Sequence, residues 1–223
     1  MIALAESLYQ LRGFPPNAIN VYLMDDVLVD AGTRFDRRRI LKQLRGREVK
    51  AHALTHAHPD HQGASHAVCT ELGAPFWCGE LDADAAEDPR EILARMKPHP
   101  LTTWLAPLIM GPGHPVARRL REGDRVGSFT VIETPGHCAG HLSYWRERDK
   151  VLVLGDVAAN IDPLLGLTGL HEPPAFFSAD VARNRESARR AAALGAELVC
   201  FGHGPPLRDP ERFRAFAERL AGR

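Results

Sequence analysis

One short segment of the chain is unusually rich in side chains that bind metal ions. It spans residues 55–61, reads THAHPDH, and places three imidazoles and one carboxylate within six consecutive residues. Neutral imidazole nitrogens and carboxylate oxygens are ligands that Zn²⁺ and neighbouring transition metals select. A bound metal ion lowers the pKa of its water from about 15.7 to about 7, so it supplies hydroxide at neutral pH. The segment therefore predicts a metal-dependent hydrolase.

Strand-like runs elsewhere in the chain also end in histidine or aspartate. Residues 51–55 predict a short strand whose end directs His56 and His58 to one side, with Asp60 and His61 beyond the turn. Three more strand-like runs are followed by a histidine or an aspartate: residues 128–133 by His137, residues 151–154 by Asp156, and residues 198–201 by His203. A single such residue is commonly part of a turn. Four strand ends of this kind in one chain predict a shared metal site.

Together these motifs resemble the metallo-β-lactamase superfamily, whose signature is His-x-His-x-Asp-His followed by a distant His, Asp and His. The resemblance extends from about residue 20 to residue 204. It implies that His56, His58 and His137 hold a first metal ion, that Asp60, His61 and His203 hold a second, and that Asp156 bridges the two. The implied cofactors are two divalent transition-metal ions, with Zn²⁺ favoured and Mn or Fe as alternatives.

Three further polar residues lie close to these motifs. Asp30 matches the early Asp-x-Gly turn of the superfamily, and the resemblance implies that it supports the ligand loop. His141, four residues after His137, is predicted to be a hydrogen-bond partner or a loop anchor. Cys138 directly follows a predicted ligand, and its side chain is expected to point away from the metal ions. A functional thiol at this position is the less favoured alternative.

The pattern of apolar residues predicts the elements that hold these loops. Residues 20–30 read as one strand. Capping and terminating residues predict helices over residues 36–45, 65–72, 180–194 and 209–220. Strands precede helices in both halves of the chain, which predicts two packed sheets with helices outside. This agrees with the α/β fold that the resemblance implies, an αββα sandwich of two mixed sheets flanked by helices.

Residues 1–223 are predicted to form a single domain of two halves, about 1–115 and 116–223. Residues 87–115 and 160–177 fit neither strand nor helix and are predicted to be long loops. The second loop begins four residues after Asp156, and its apolar side chains predict a pocket for an acyl or other hydrophobic part of a substrate. Those side chains are Leu164, Leu165, Leu167, Phe176 and Phe177. The alternative is that both segments cover the core or form a homodimer contact.

The composition narrows the class of protein. Lys plus Arg and Asp plus Glu both number 28, and this balance does not favour a nucleic-acid partner. Hydrophobic residues make up 44%, as in globular proteins, and no apolar run approaches the roughly 18 residues of a membrane span. Residues 1–11 lack the basic start and long apolar centre of a secretory signal, and the four cysteines form no Cys-x-x-Cys pair. We therefore expect a cytoplasmic protein with reduced thiols.

The residues and the resemblance together predict a hydrolase (EC 3) that acts on a small ester, lactone or thioester. A metal-bridging hydroxide attacks the carbonyl carbon, while one metal ion stabilises the oxyanion. Asp60 is the predicted catalytic side chain, because it can orient the hydroxide or accept a proton.

Among the superfamily's members, the chain is nearest to lactonase-like and hydroxyacylglutathione hydrolase-like proteins. Residues 157–160 differ from the Leu-Phe type sequence that follows Gly-Asp in the latter, which weakens that assignment. Hydrolysis of β-lactams is disfavoured as the native role. Two alternatives from other classes stay open: a single-iron persulfide dioxygenase-like oxidoreductase, and a metal-binding module without turnover.

Overall fold

The computed structural model describes residues 1–162 and 166–221. The strands within these residues are β1 Ile2–Ala5, β2 Leu8–Gln10, β3 Tyr22–Met24, β4 Val27–Val29, β5 Ala51–Ala53, β6 Phe76–Gly79, β7 Val116–Leu120, β8 Arg125–Val126, β9 Phe129–Glu133, β10 Leu142–Arg146, β11 Val151–Gly155, β12 Ala159–Ile161, β13 Thr168–His171 and β14 Leu198–Phe201. The α-helices are α1 Arg37–Leu44, α2 Pro59–Gln62, α3 Ser65–Leu72, α4 Ala83–Glu87, α5 Pro89–Arg95, α6 Pro100–Ile109, α7 Val181–Ala193 and α8 Pro210–Ala221. None of the described helices is both long and apolar enough to cross a membrane.

The strands form two mixed sheets and one separate hairpin. The seven-stranded first sheet has the order β1-β2-β3-β4-β5-β6-β7 and is antiparallel up to β4 and parallel from β4 to β7. The five-stranded second sheet has the order β14-β11-β10-β9-β8, in which β14 and β11 are parallel and the other pairs are antiparallel. The hairpin of β12 and β13 follows β11. This topology places the carboxyl ends of β4, β5, β11 and β14 where loops from both sheets can meet.

The main core lies between the two sheets. Along β11, Val151 and Val153 face the first sheet, whereas Leu152 and Leu154 belong to a second cluster with residues of α7 and α8. A third cluster packs the outer face of the first sheet against α1 and α3. Full burial of each such Val or Leu side chain contributes roughly 1.5–3 kcal/mol. The arrangement is an αββα sandwich, and it confirms the predicted fold class.

The four helices that the capping signals predict are present as α1, α3, α7 and α8. The Asp180 carboxylate accepts a hydrogen bond from the backbone N–H of Arg183 at 3.0 Å, and Asp209 accepts from that of Arg212 at 2.9 Å. These bonds satisfy N–H groups that have no partner within the helix. Helix α3 ends at Leu72 and is capped by Gly73, whose φ of +62° suits a left-handed cap.

The prediction of a single strand over residues 20–30 is wrong. The segment forms two strands, β3 and β4, joined by a tight turn at Asp25-Asp26. Asp25 has a φ of +53°, a conformation that aspartate tolerates better than most residues. Its carboxylate also accepts a hydrogen bond from the backbone N–H of Ser128 at 2.7 Å. A polar pair inside an apolar run was therefore the signal for a hairpin.

The prediction that residues 87–115 form a loop is also wrong, because α5 and α6 occupy most of this segment. The Asp88 carboxylate caps α5 by accepting from the backbone N–H of Arg90 at 3.0 Å, and Pro89 occupies the first turn. Pro107 lies inside α6, two residues before the helix ends, so the helix continues past a residue that has no N–H to donate.

The predicted loop over residues 160–177 is replaced in part by the hairpin of β12 and β13. Leu164 and Leu165 lie outside the described residues, so the prediction that they line a pocket is not addressed by the structure.

Candidate metal centre

The predicted metal ligands lie together at one edge of the sandwich, on segments that follow strands of both sheets. Together they form overlapping groups in which the ligand atoms all lie within 4.8 Å of one another. The residues are His56 and His58 after β5, Asp60 and His61 in α2, His137 in the loop after β9, Asp156 after β11 and His203 after β14. The structure thus brings together every residue that the sequence predicted as a ligand.

Three of these imidazoles form the first set. The Nδ1 atom of His58 lies 3.1 Å from Nε2 of His56 and 2.9 Å from Nε2 of His137. Burial lowers the pKa of all three rings below the ordinary histidine value. The rings are therefore neutral at pH 7, and such rings can direct lone pairs at a common point. This is the arrangement that a transition-metal ion needs.

The second set consists of Asp60, His61 and His203. The Nε2 atoms of the two histidines are 3.3 Å apart, and Oδ2 of Asp60 lies 3.3 Å from Nε2 of His203. His61 donates through Nδ1 to Oδ2 of Asp30 at 2.8 Å, and His203 donates through Nδ1 to the carbonyl of Ala18. Because both Nδ1 atoms carry a proton and donate, the Nε2 atoms of neutral rings would each carry a lone pair. These two lone pairs would face each other. A positive charge, either a metal ion or a proton, is required between them.

In the metal-free chain, the neighbouring carboxylates determine the charge of the second set. Burial alone would lower the pKa of His61, but Asp156, Asp30 and Asp60 outweigh it and raise that pKa to about 10. Burial would raise the pKa of Asp60, but His61 and His203 hold it below its usual range. Asp60 is therefore ionised at neutral pH, which makes it a good metal ligand and a poor proton acceptor.

Asp156 lies between the two sets. Its Oδ2 atom is 3.1 Å from Nε2 of His203, 3.5 Å from Nε2 of His61 and 3.7 Å from Nε2 of His137. Its Oδ1 atom is buried and has no hydrogen-bond partner among the described residues. A buried polar atom without a partner costs about 1–3 kcal/mol, more if it is charged. A cation next to this carboxylate would remove that cost, so the donor set fits bound metal.

A glycine before His203 makes room for this carboxylate. A Cβ atom on Gly202 would lie 1.9 Å from Oδ1 of Asp156 and 2.7 Å from Cε1 of His61. Both distances are too short for atoms in contact. Gly202 is therefore required by the close approach of two ligand-bearing segments.

Asp30 orients ligands of both sets. Its carboxylate accepts hydrogen bonds from the backbone N–H of Thr55, the hydroxyl of Thr55 and Nδ1 of His61, each at 2.8 Å. Because the Thr55 hydroxyl donates to Asp30, it accepts from Nδ1 of His56 at 3.1 Å. The other ring nitrogen of His56, Nε2, therefore carries a lone pair that is directed at the other imidazoles of the first set. This geometry agrees with the supporting role predicted for Asp30.

His141 anchors the loop that carries Asp156. Its Nε2 atom accepts from the backbone N–H of Asp156 at 3.0 Å, so its Nδ1 atom carries the proton and donates to the Thr134 hydroxyl at 2.8 Å. Thr134 in turn contacts Ser143 at 2.9 Å, and Ser143 donates to the carbonyl of Leu154 at 2.8 Å. Both ring nitrogens are used, which agrees with the prediction that His141 is an anchor.

Asp82 is a site residue that the sequence analysis missed. Its buried carboxylate accepts from the backbone N–H of Ala57 at 3.0 Å, from the thiol of Cys138 at 2.9 Å and from the backbone N–H of Gly140 at 2.9 Å. It therefore joins the loop of His56 and His58 to the loop of His137. The sequence signal that could have identified Asp82 is an acidic residue shortly after a strand. Asp82 follows β6 in this way, as Asp30 follows β4 and Asp156 follows β11.

We expect Cys138→Ser to keep kcat/KM within about threefold of the parent, because a hydroxyl can replace the thiol as a donor to Asp82. Burial and the nearby Asp82 carboxylate raise the pKa of the Cys138 thiol, so it is not a reactive thiolate. Hydrolysis of a thioester panel and metal content would be measured together. A loss of about 100-fold with unchanged metal content would instead make the thiol part of the chemistry.

A cavity of about 520 Å³ opens beside both ligand sets. Its apolar wall includes Met96, Leu105, Ala106, Ile109, Ile161 and Phe177. Of the side chains that the sequence predicted for this wall, Phe177 lines the cavity, whereas Phe176 stacks on the ring of His99 with centroids 3.9 Å apart. Leu167 is 63% exposed. Much of the apolar surface therefore comes from α6, in the segment that was predicted to be a loop.

Known proteins resemble this chain along most of its length. Residues 14–203 match the family described as the metallo-beta-lactamase superfamily. The probable metallo-hydrolase YflN of Bacillus subtilis is 29% identical over 217 residues, which cover 88% of this chain and 81% of YflN. The crystal structure of TTHA1623 in a di-iron-bound form is 29% identical, with a TM-score of 0.61 over 93% of both chains.

A third relative matches over a shorter region. A hydroxyacylglutathione hydrolase of Bdellovibrio bacteriovorus is 34% identical over 133 residues, which cover 57% of this chain and 40% of that enzyme. The family match, by contrast, includes all seven predicted ligands and the strands before them. This chain belongs to the metallo-β-lactamase superfamily.

Proposed function

We propose that this chain is a dinuclear metal-dependent hydrolase of esters, lactones or thioesters. The observation that carries the proposal is the position of Asp156, whose Oδ2 atom lies between a set of three neutral histidines and a set of Asp60, His61 and His203. Two relatives support it, since YflN is named a probable metallo-hydrolase and TTHA1623 was crystallised with two irons. A single-iron site would use only one of the two sets as metal ligands.

The ligand assignment follows the two sets. His56, His58 and His137 would hold one ion, Asp60, His61 and His203 the other, and Asp156 both. Divalent cations bound there, most simply Zn²⁺, would supply hydroxide at neutral pH and stabilise the oxyanion that forms on the carbonyl oxygen. No side chain of the protein is then needed as a nucleophile.

The chain's own residues would hold and orient the reacting groups. Asp60 is ionised and lines the main cavity, where it can accept a hydrogen bond from the attacking hydroxide and orient it. Asp30 fixes His61 and Thr55, so the ligand positions do not have to reorganise during the reaction. The apolar wall excludes water from the acyl part of a substrate.

The main cavity favours a substrate with an apolar acyl part. The wall formed by Leu105, Ile109, Ile161 and Phe177 would contribute about 0.8 kcal/mol for each buried methylene, or nearly fourfold in kcat/KM. We therefore expect kcat/KM for thioesters or lactones to rise from short to medium acyl chains, with β-lactams and phosphodiesters far behind.

A steady-state comparison of acetyl, butanoyl, hexanoyl and octanoyl thioesters tests this proposal. Ile109→Ala should flatten the trend, because it widens the wall of the cavity. Leu93→Ala is the matched control, since Leu93 lies on α5, is 38% exposed and does not line the cavity. A flat profile in the parent protein would remove the acyl pocket, and a preference for phosphodiesters would remove the proposed substrate class.

A further inference from the structure

A second cavity adjoins the main cavity at the first ligand set. Its volume is about 270 Å³, and it shares His58, Met96, His137 and Phe177 with the main cavity. Two residues of the first ligand set, His58 and His137, therefore line both cavities. A substrate whose reacting carbonyl lies at the metal centre can extend one half into each cavity.

The walls of the second cavity are mostly small and apolar, but two cationic side chains, Arg95 and Lys97, lie among its lining residues. The cavity also contains the Asp82 carboxylate. That carboxylate already accepts three hydrogen bonds, from Ala57, Cys138 and Gly140, so it is satisfied by the protein itself. Asp82 keeps its negative charge, but the lining holds two cations against this one carboxylate, and Arg95 and Lys97 are the charged groups that can donate to an anionic ligand.

Neither cation is held in a close ion pair. Arg95 donates to the carbonyl of Leu81 at 2.7 Å, and its guanidinium is 3.8 Å from the Glu91 carboxylate, with both side chains well exposed to solvent. Lys97 donates to the carbonyl of Ala175 at 3.3 Å. Within the part of the chain that the structure describes, no ion pair involving Lys97 is found within 4.0 Å. An exposed pair as long as that of Arg95 and Glu91 contributes little, so both cations can bind an incoming anion.

Other cations near the site are paired more tightly. Arg90, on the same helix as Arg95, contacts Asp88 at 2.6 Å, and Arg185 contacts Glu172 at 2.6 Å. Away from the metal ligands, the charged residues that line the main cavity are acidic, Asp162 and Glu172. The two cavities therefore differ in character: the larger is apolar with acidic groups, and the smaller is lined by two cations and one carboxylate.

We propose that the second cavity is a subsite for an anionic group, a carboxylate or a phosphate, on the leaving half of the substrate. This inference rests on the proposed function, in which the acyl half occupies the main cavity. The natural substrate would then be an ester or thioester that joins an apolar acyl chain to a short anionic alcohol or thiol. Arg95 and Lys97 are specificity-determining residues that bind the anion.

Two thioesters with the same acyl group test this subsite. S-octanoyl-3-mercaptopropionate has an anionic leaving half, and S-octanoyl-N-acetylcysteamine has a neutral one. We expect kcat/KM to favour the anionic thioester by about three- to tenfold at low salt, with the preference reduced in 0.5 M NaCl. In the Arg95→Gln/Lys97→Gln double variant, the ratio of the two values should fall to about one. Arg90→Gln is the matched control and should leave the ratio unchanged, because Arg90 does not line the cavity.

A binding measurement separates failure of the subsite from failure of the proposed function. The probes are amides, which have no carboxylic ester or thioester bond: N-octanoyl-β-alanine with a carboxylate, N-octanoyl phosphoethanolamine with a phosphate, and neutral N-octanoylethanolamine. By calorimetry, at least one anionic amide should bind the parent more tightly than the neutral amide, and the double variant should lose that difference. If this occurs while neither thioester is hydrolysed, the subsite stands and the proposed function fails.

A different result is expected if the proposed function is right and the anion subsite is wrong. If both thioesters are hydrolysed at equal kcat/KM and neither anionic amide is preferred, the proposed function stands and the anion subsite is wrong. A preference that persists in the double variant would also overturn the assignment of Arg95 and Lys97.

Discussion

Replacing Asp156 by alanine is expected to remove both metal ions and to reduce kcat/KM by more than about 100-fold. Asp156 is the carboxylate between the two ligand sets, with its Oδ2 atom 3.1 Å from His203 and 3.7 Å from His137. Without it, two dications would repel each other across a short distance with less negative charge to offset the repulsion. Metal content after dialysis and hydrolysis of a medium-chain thioester would be measured on the same preparation.

His203→Ala is the informative comparison, because His203 belongs to the second set alone. We expect this variant to lose one ion and to keep the other. If metal titration shows the reverse ranking, so that His203→Ala disturbs both ions and Asp156→Ala disturbs one, then Asp156 does not bridge the sets.

The second large effect is expected for Asp30→Ala, which should destabilise the protein by about 3–6 kcal/mol. The substitution leaves three buried donors without their acceptor: the N–H and hydroxyl of Thr55 and Nδ1 of His61. Alanine must also adopt the φ of +59° found at Asp30, which costs roughly 1–2 kcal/mol. Urea unfolding would give the free energy, and metal analysis should show weaker binding at the second set.

Asp25→Ala is the matched control for Asp30. Asp25 lies two residues before β4 and has a similar φ of +53°, but its carboxylate accepts from the backbone of Ser128 and contacts no ligand. This control should lose stability and keep its metal content. If both variants lose metal equally, the loss in Asp30→Ala results from general destabilisation of the fold and not from the loss of the bond that orients His61.

The positions of the candidate metal ligands were more predictable from sequence than helices α5 and α6. Each ligand follows a strand whose apolar pattern is local, so the strand ends at β5, β11 and β14 could be located without tertiary information. The family resemblance then grouped the ligands. Asp82 was missed because an acidic residue after a strand is common, and its three hydrogen bonds come from loops that meet it only in the folded chain.

The errors in the fold have local causes as well. Helix α5 has the same Asp-Pro start as α8, yet the prolines of residues 87–115 outweighed that signal. In α6, Pro107 lies inside the helix, where a proline is unfavourable, so the local sequence argues against a helix at this position. The turn at Asp25-Asp26 was hidden by apolar residues on both sides. Tertiary contacts, such as that of Asp25 with Ser128, select the hairpin over one long strand.

The most direct test of the central claim is the number of metal ions bound per chain. Protein purified without chelator and reconstituted with Zn²⁺ would be analysed by inductively coupled plasma mass spectrometry, alongside samples given Mn²⁺ or Fe²⁺. The two ligand sets and the shared Asp156 predict close to two ions per chain with at least one of these metals. A ratio that stays at one or below with all three would contradict the dinuclear centre.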